Sequence, residues 1–149
     1  MGRVNLTFYD PAGRVYLTVN NYDTVTAYGS NPAQELCGFP TPVNPSTEFN
    51  LCSLTEYDSA GRVVATTDNI GRVNRTFYDA QGRVAGTVNN SVVVDTMAEL
   101  ATCYQLPEMR DSDSCTTYGY DAMGNTLVTT DTVGNMTFTV YDQLNRSVV

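Results

Sequence analysis

Residues 9–14 read YDPAGR, and this short stretch returns four more times along the 149-residue chain. The later copies are YDSAGR at 57–62, YDAQGR at 78–83, YDAMGN at 120–125 and YDQLNR at 141–146. The tyrosines are 48, 21, 42 and 21 residues apart, so the basic unit is 21 residues long and two units are expanded. Because a chemical site tends to occur once, a motif with five copies indicates a structural device.

The motif predicts a hairpin turn. Its Asp caps the following backbone amides, and its Gly takes the left-handed conformation that closes a bulged hairpin. In the last copy Asn145 replaces Gly, and Asn tolerates that conformation next best. Tyr and Arg flank the same turn, where we expect the guanidinium to pack on the ring of its cross-strand neighbour. The predicted turn and clasp residues are Tyr9, Asp10, Gly13, Arg14, Tyr57, Asp58, Gly61, Arg62, Tyr78, Asp79, Gly82, Arg83, Tyr120, Asp121, Gly124, Tyr141, Asp142 and Asn145.

The segments between turns predict strands. Half a unit after each tyrosine turn of a short unit, a tyrosine-free turn follows, as in Asp68-Asn-Ile-Gly71, which leaves about seven residues between turns. Apolar residues alternate along these segments, and Leu6 and Phe8 share one face, although Arg75 interrupts the equivalent face of a later copy. The predicted fold is all-β, an antiparallel β-hairpin ribbon of tandem repeats. We expect residues 1–149 to be one continuous array, cut from a longer chain.

The two expanded units carry insertions at the same point of the repeat, at about residues 21–51 and 90–114. In the first, Asn31-Pro32 and the later Gly38 read as a helix cap, a first helical residue and a terminating glycine. In the second, Thr96 and Glu99 form a capping-box pattern. Each insertion is therefore predicted to contain one short helix that ends near a cysteine.

The four cysteines occupy matched places in the two insertions. Four cysteines allow three pairings, and four buried thiols are the alternative. The duplication favours local disulfides between Cys37 and Cys52 and between Cys103 and Cys115. Such disulfides indicate an oxidising setting, outside the cell or at its surface.

The composition of the chain argues against most catalytic and ligand-binding sites. The chain has no His, and all eight of its basic residues are Arg, so a Ser-His triad, a Cys-His pair and a Schiff base are ruled out. A net charge of −8 disfavours nucleic acid, and no apolar run is long enough to span a bilayer. Asp111-Ser-Asp113 lacks the Gly and Glu that complete a calcium loop. The sequence therefore predicts no catalytic site, no metal site and no cofactor.

Five Asn-x-Ser/Thr sequons are candidate N-glycosylation sites. Two of them, Asn5 and Asn74, occupy equivalent positions on the face that we expect to point to solvent. An intact mass equal to the bare 16.3 kDa chain would exclude the modification. The five candidates are Asn5, Asn74, Asn89, Asn135 and Asn145.

The motif and its 21-residue period resemble the YD-repeat, or Rhs, family of large secreted and cell-surface proteins. That resemblance implies a continuous ribbon of antiparallel hairpins, which in known members spirals into a hollow shell. The sequence alone favours a non-enzymatic segment of an extracellular fibre, filament or surface stalk, whose partners are adjacent repeats or copies of itself joined at strand edges. The alternatives are part of a toxin-encapsulating shell of Rhs type and an adhesive module similar to teneurins.

Overall fold

The computed structural model describes residues 4–22, 29–39, 49–105 and 112–148. The chain divides into two compact units, residues 1–73 and 74–149. Each unit is an antiparallel meander, in which every strand pairs with the strand that follows it in the chain. This connectivity is what a hairpin repeat with short turns requires.

The first unit contains four strands and one helix. Its strands pair in the order in which they occur, and the helix lies in the insertion that joins the second strand to the third. The strands are β1 (Leu6–Tyr9), β2 (Val15–Asn20), β3 (Leu51–Tyr57) and β4 (Val63–Asp68), and the helix is α1 (Pro32–Cys37).

The second unit repeats this plan with one further strand. The insertion again joins the second strand of the unit to the third, and it contains an α-helix followed by a 3-10 helix at Cys103–Gln105. The strands are β5 (Val73–Tyr78), β6 (Val84–Asn89), β7 (Ser114–Tyr120), β8 (Thr126–Asp131) and β9 (Met136–Phe138), and the helix is α2 (Met97–Leu100).

Four of the five tyrosine-bearing turns contain a β-bulge. In the first hairpin Phe8 pairs with Leu17, but the next residue, Tyr9, pairs with Val15, so the register shifts by one residue. The same shift precedes Tyr57, Tyr78 and Tyr120. A bulge of this kind bends and twists the strand next to the turn.

The core of the first unit lies between the sheet and its insertion. Leu17 and Val19 of β2 are fully buried, and Leu36 of α1 and Phe39 pack on them. Leu6 and Phe8 of the neighbouring strand border this cluster. The insertion thus covers the apolar face that the alternation of β1 and β2 creates.

The second unit has the same arrangement but smaller side chains on the sheet. Val88 of β6 is fully buried, and Leu100 of α2, Val94 and Cys103 pack above it. Phe77 borders this cluster, as Phe8 does in the first unit. Each insertion therefore covers the apolar face of the sheet in its own unit.

The predicted fold is confirmed, including the two short helices and the two disulfides. Asn31 caps α1 through its side chain, and Gly38 ends the helix with a φ of +70°. Thr96 and Glu99 form the capping box of α2. The Cα atoms of Cys37 and Cys52 are 5.9 Å apart, and those of Cys103 and Cys115 are 6.4 Å apart. Each disulfide joins the helical part of an insertion to the strand that follows it.

Candidate functional site

The repeat turn is organised by the carboxylate of its aspartate. One oxygen of Asp10, Oδ1, accepts hydrogen bonds from the backbone N–H groups of Ala12 and Arg14, both at 2.9 Å. The other oxygen, Oδ2, accepts from Nε of Arg14 at 2.7 Å and forms an ion pair with Nη2 at 2.6 Å. The backbone N–H of Gly13 donates to the carbonyl of Asp10 at 2.9 Å. A single carboxylate therefore holds the turn and orients the arginine.

All the turns of the repeat share this geometry. At the tyrosine-free turn the carboxylate of Asp68 binds Arg72, and at two turns the side chain of Asn125 or Asn135 takes the place of the arginine. The turn glycines have φ between +78° and +91°, and Asn145 in the same position has φ +61°. Because this conformation favours glycine, the recurring Gly, or Asn, is a backbone requirement of the turn.

The turn lowers the pKa of its aspartate. At Asp10 and Asp58 the largest cause is the hydrogen bond from the backbone N–H of Arg14 or Arg62, which stabilises the ionised carboxylate. At Asp121, where no arginine follows, the hydrogen bond from the side chain of Asn125 lowers the pKa most. The charged form of the aspartate is thus built into each of these turns.

The turn arginine also reaches the next tyrosine-bearing hairpin. The guanidinium carbon of Arg14 lies 4.4 Å from the centroid of the Tyr57 ring, and the hydroxyl of Tyr57 donates to the carbonyl of Val15 at 2.7 Å. Arg83 and Tyr120 repeat this arrangement, again at 4.4 Å, with Tyr120 donating to Val84 at 2.7 Å. We call this pair of contacts the inter-hairpin clasp. It joins the two hairpins that flank each insertion.

The clasp corrects one expectation from the sequence. The sequence suggested that Tyr9 and Arg14, which flank the same turn, pack on each other. In the structure Arg14 instead stacks on Tyr57, and the bulge pairs Tyr9 with Val15. The guanidinium of Arg14 makes both contacts at once: its Nε donates to Asp10, and its central carbon lies over the ring of Tyr57.

A backbone hydrogen bond joins the two ends of each insertion, and we call the pair of residues that forms it the neck. The backbone N–H of Asn50 donates to the carbonyl of Asn21 at 3.1 Å, and both residues have a φ just above +50°. In the second unit Asp113 donates in the same way to Asn90 at 3.0 Å. Sequence reasoning missed this neck, although the Asn-Asn pair before each insertion is a signal for left-handed residues.

The buried aspartate of the second neck holds its insertion in place. Asp113 has no exposed surface, and its Oδ1 accepts from the backbone N–H groups of Val92, Val93 and Val94 at 2.8 to 3.0 Å. Burial raises the pKa of Asp113, but the hydrogen bonds outweigh it and leave the pKa below its usual value. These contacts account for Asp113 structurally, while Asp111 of the same acidic stretch lies outside the described residues.

An apolar cavity of about 230 Å³ opens between the second insertion and the sheet. At the equivalent places of the first unit stand Leu17 and Leu54, whereas the second unit has Gly86 and Thr117. Leu100 packs directly on Gly86, where a Cβ would lie 2.8 Å from its Cδ2. The cavity is lined mainly by Met97, Leu100 and Tyr104 of the insertion and by Thr117, Thr130 and Met136 of the strands.

Arg75, which interrupts the apolar face in the sequence, lies opposite Val88 in the second unit. Its Nε is buried and has no hydrogen-bond partner among the described residues. The face of this unit is therefore less completely apolar than that of the first, where Leu6 stands at the equivalent position.

The five sequon asparagines are all exposed, but they differ in what their amides do. Oδ1 of Asn5 accepts from the backbone N–H of Asn21 at 3.0 Å, and Asn74 makes the equivalent bond to Asn90 at 3.1 Å. In contrast, Nδ2 of Asn135 donates to the turn carboxylate of Asp131 at 2.9 Å. Since a glycan replaces one of the two hydrogens on Nδ2, a glycosylated Asn135 would keep a single N–H for the bond to Asp131. Glycosylation at all five sites stays a prediction.

The described residues contain no cluster of three or more His, Cys, Asp or Glu side chains able to hold a metal ion. No helix in the described part of the chain has the length and apolar character needed to cross a membrane.

The comparison with protein families identifies the repeat. Residues 57–91 match the RHS repeat family, so the resemblance to the YD-repeat proteins is confirmed for a stretch that includes two copies of the motif. No curated protein is significantly similar to the chain in sequence.

Solved structures show the same fold. The crystal structure of TcdB2-TccC3-Cdc42 matches 98% of this chain with a TM-score of 0.59 and 15% identity, and that of TcdB2-TccC3 matches 94% with a TM-score of 0.54 and 15% identity. This chain spans only 6% of the length of either matched chain. The likeness therefore establishes the fold of this chain alone.

The first prediction concerns the hydroxyl of the clasp. Tyr57→Phe removes the hydrogen bond to Val15 and keeps the ring under Arg14, so we expect the free energy of unfolding to fall by about 1 kcal/mol. Urea unfolding followed by circular dichroism measures the change. Tyr9→Phe is the matched control, because the side chain of Tyr9 is 62% exposed and the substitution should be neutral. Equal effects of the two substitutions would show that the hydroxyl of Tyr57 contributes nothing to stability.

The turn aspartates should make the free energy of unfolding depend on pH in the acid range. The turn aspartates have a pKa below the ordinary aspartate value of 3.8 in the folded chain, so they stabilise the fold fully above that pH. As the pH falls from 3.8 through the lower folded-state values, protonation favours the unfolded chain and this stabilisation is lost. Urea unfolding at a series of pH values should show a steep acid loss that becomes shallower in Asp10→Asn. A free energy of unfolding that is flat down to about pH 2 would contradict this.

Proposed function

We propose that this chain is a non-enzymatic segment of the wall of an Rhs-type shell that encloses a toxin. The observation that carries the proposal is the match of nearly the whole chain to one short stretch of the TcdB2-TccC3 structures. In such a wall, hairpins lie side by side, and each must be fixed to the next. The RHS repeat at residues 57–91 supports the same assignment.

The inter-hairpin clasp suits a wall segment. In each unit one arginine binds the aspartate of its own turn and the tyrosine of the next such turn. Arg14 also donates to the carbonyl of Asp58 at 3.5 Å, and Arg83 donates to that of Asp121 at 3.2 Å. Repeated contacts between neighbours stabilise an array without any need for long-range contacts.

The fibre that the sequence favoured uses the same repeat, but the comparisons favour the shell. Both assemblies would place adjacent repeats in contact, and both suit a secreted or surface location. The disulfides Cys37–Cys52 and Cys103–Cys115 support that location, because such bonds persist in oxidising compartments. The turn carboxylates are engaged in holding hairpins, which supports a structural rather than a catalytic use.

Electron microscopy of the full-length gene product tests the proposal. We expect closed, hollow particles whose wall contains this segment. Rods, filaments or solid compact particles would contradict the shell. A matched pair of variants relates the particle to the clasp: Arg14→Gln with Arg83→Gln should increase the fraction of open or broken particles, whereas Arg72→Gln, at a tyrosine-free turn, should not.

A further inference from the structure

The floor of the cavity beneath α2 is one row of residues across β6, β7, β8 and β9. Gly86 pairs with Thr117, Thr117 pairs with Thr130, and Thr130 pairs with Met136. Directly paired residues share one face of a sheet, so this row lies on one side of the second unit. It is the side that α2 covers, because Leu100 packs directly on Gly86. A glycine and two threonines therefore lie beneath the second insertion.

The first unit has larger side chains at the start of this row. Leu17 stands where the second unit has Gly86, and Leu54, its partner in the sheet, stands where the second unit has Thr117. Leu17 is fully buried in the core beneath α1. The two units thus share a backbone plan, but the second has less side-chain volume under its insertion, and a cavity of about 230 Å³ remains.

The rim of the cavity is formed by the insertion and by β9. The ring of Tyr104 lies against the turn that precedes β9, because a Cβ on Gly134 would be 3.7 Å from its Cδ2. Met97, Tyr104 and Met136 line the cavity, and their side chains are between 47% and 59% exposed. The cavity is therefore open to solvent, and a small molecule can enter it without separating the insertion from the sheet.

The lining favours a neutral aromatic ligand. No charged side chain lines the cavity within the described part of the chain, so an ion would lose its hydration without gaining a partner. Met97, Met136 and Tyr104 supply two thioethers and a ring, which make favourable contacts with aromatic groups. Thr117 and Thr130, directly paired on the floor, supply hydroxyl groups that can bind one polar group of a ligand.

We propose that this cavity is a binding site for a neutral aromatic molecule of one or two fused rings that carries one hydroxyl or carbonyl group. An apolar cavity of about 150 Å³ holds benzene, so about 230 Å³ suits a somewhat larger ring system. The rings lie between α2 and the sheet, and the polar group meets the two threonines. The site is contained in the second unit, so it does not depend on the shape of the assembly assigned under the proposed function.

Binding of 2-naphthol to the full-length gene product tests the site. This probe is uncharged at neutral pH and has two fused rings and one hydroxyl. Isothermal titration calorimetry should give a Kd on the order of 100 μM, the range expected for a molecule of this size in an apolar pocket. The matched anion 2-naphthoate should bind about ten times more weakly or worse, because the lining offers its carboxylate no cation.

Three variants connect the binding to this cavity. Thr117→Leu copies Leu54 of the first unit and fills the space from the floor, so it should weaken 2-naphthol binding by about tenfold or more. Thr116→Leu is the matched control: it adds the same volume to the same strand on the opposite face and should leave the Kd unchanged. Thr117→Val keeps the volume and removes one hydroxyl, so it should weaken binding by only about threefold to fivefold.

Circular dichroism verifies that each variant has folded, and Thr130→Leu fills the same space if Thr117→Leu does not fold. Three results would overturn the proposal. The first is a parent protein that does not bind 2-naphthol, and the second is a folded Thr117→Leu variant that binds it as tightly as the parent does. The third is equal affinity for 2-naphthol and 2-naphthoate. The particle shape seen by electron microscopy is a separate result, because a shell and a rod would both contain this cavity.

Discussion

The rest of this structure depends on the carboxylate of the turn aspartate, because its two oxygens bind different groups. Oδ1 closes the turn by accepting two backbone N–H groups, and Oδ2 fixes the arginine of the same turn. An arginine that is held in this way loses less conformational freedom when it stacks on a further ring. Local turn chemistry is thereby converted into a contact between hairpins that are more than 40 residues apart in the sequence.

The insertions can be accommodated because both of their ends are fixed. Below each insertion the two flanking strands pair, and the left-handed residues of the neck bring the chain out of the sheet. The disulfide then closes a loop of 15 residues in the first insertion and 12 in the second. Closing such loops reduces the entropy of the unfolded chain, by an amount that is worth about 3 kcal/mol in chain-entropy estimates. Because the insertion is fixed at both ends, the apolar residues of its helix stay packed on the sheet face.

The sequence revealed the local structure well because turn chemistry acts over five residues. The spacing of Asp10 and Gly13 predicted the turn, Asn145 was understood as a glycine substitute, and the caps at Asn31 and Thr96 predicted the helices. The partner of Arg14 was wrong, because the nearest tyrosine in the sequence is not the nearest in space once an insertion separates the hairpins. The cavity beneath α2 was missed, since it arises from the combined volumes of residues on four strands and two helical segments.

The central claim is that the turn arginine couples one hairpin to the next, and a double-mutant cycle between Arg14 and Tyr57 tests it most directly. Arg14→Gln, Tyr57→Leu and the double variant are unfolded in urea, and the interaction energy is obtained from their free energies of unfolding. We predict a favourable coupling of about 0.5 to 1 kcal/mol, the usual range for a partly exposed guanidinium on an aromatic ring. The same cycle between Arg72 and Tyr57 should give a coupling near zero. If the Arg14–Tyr57 pair also gave no coupling, the clasp would be a contact without energetic meaning and the claim would be wrong.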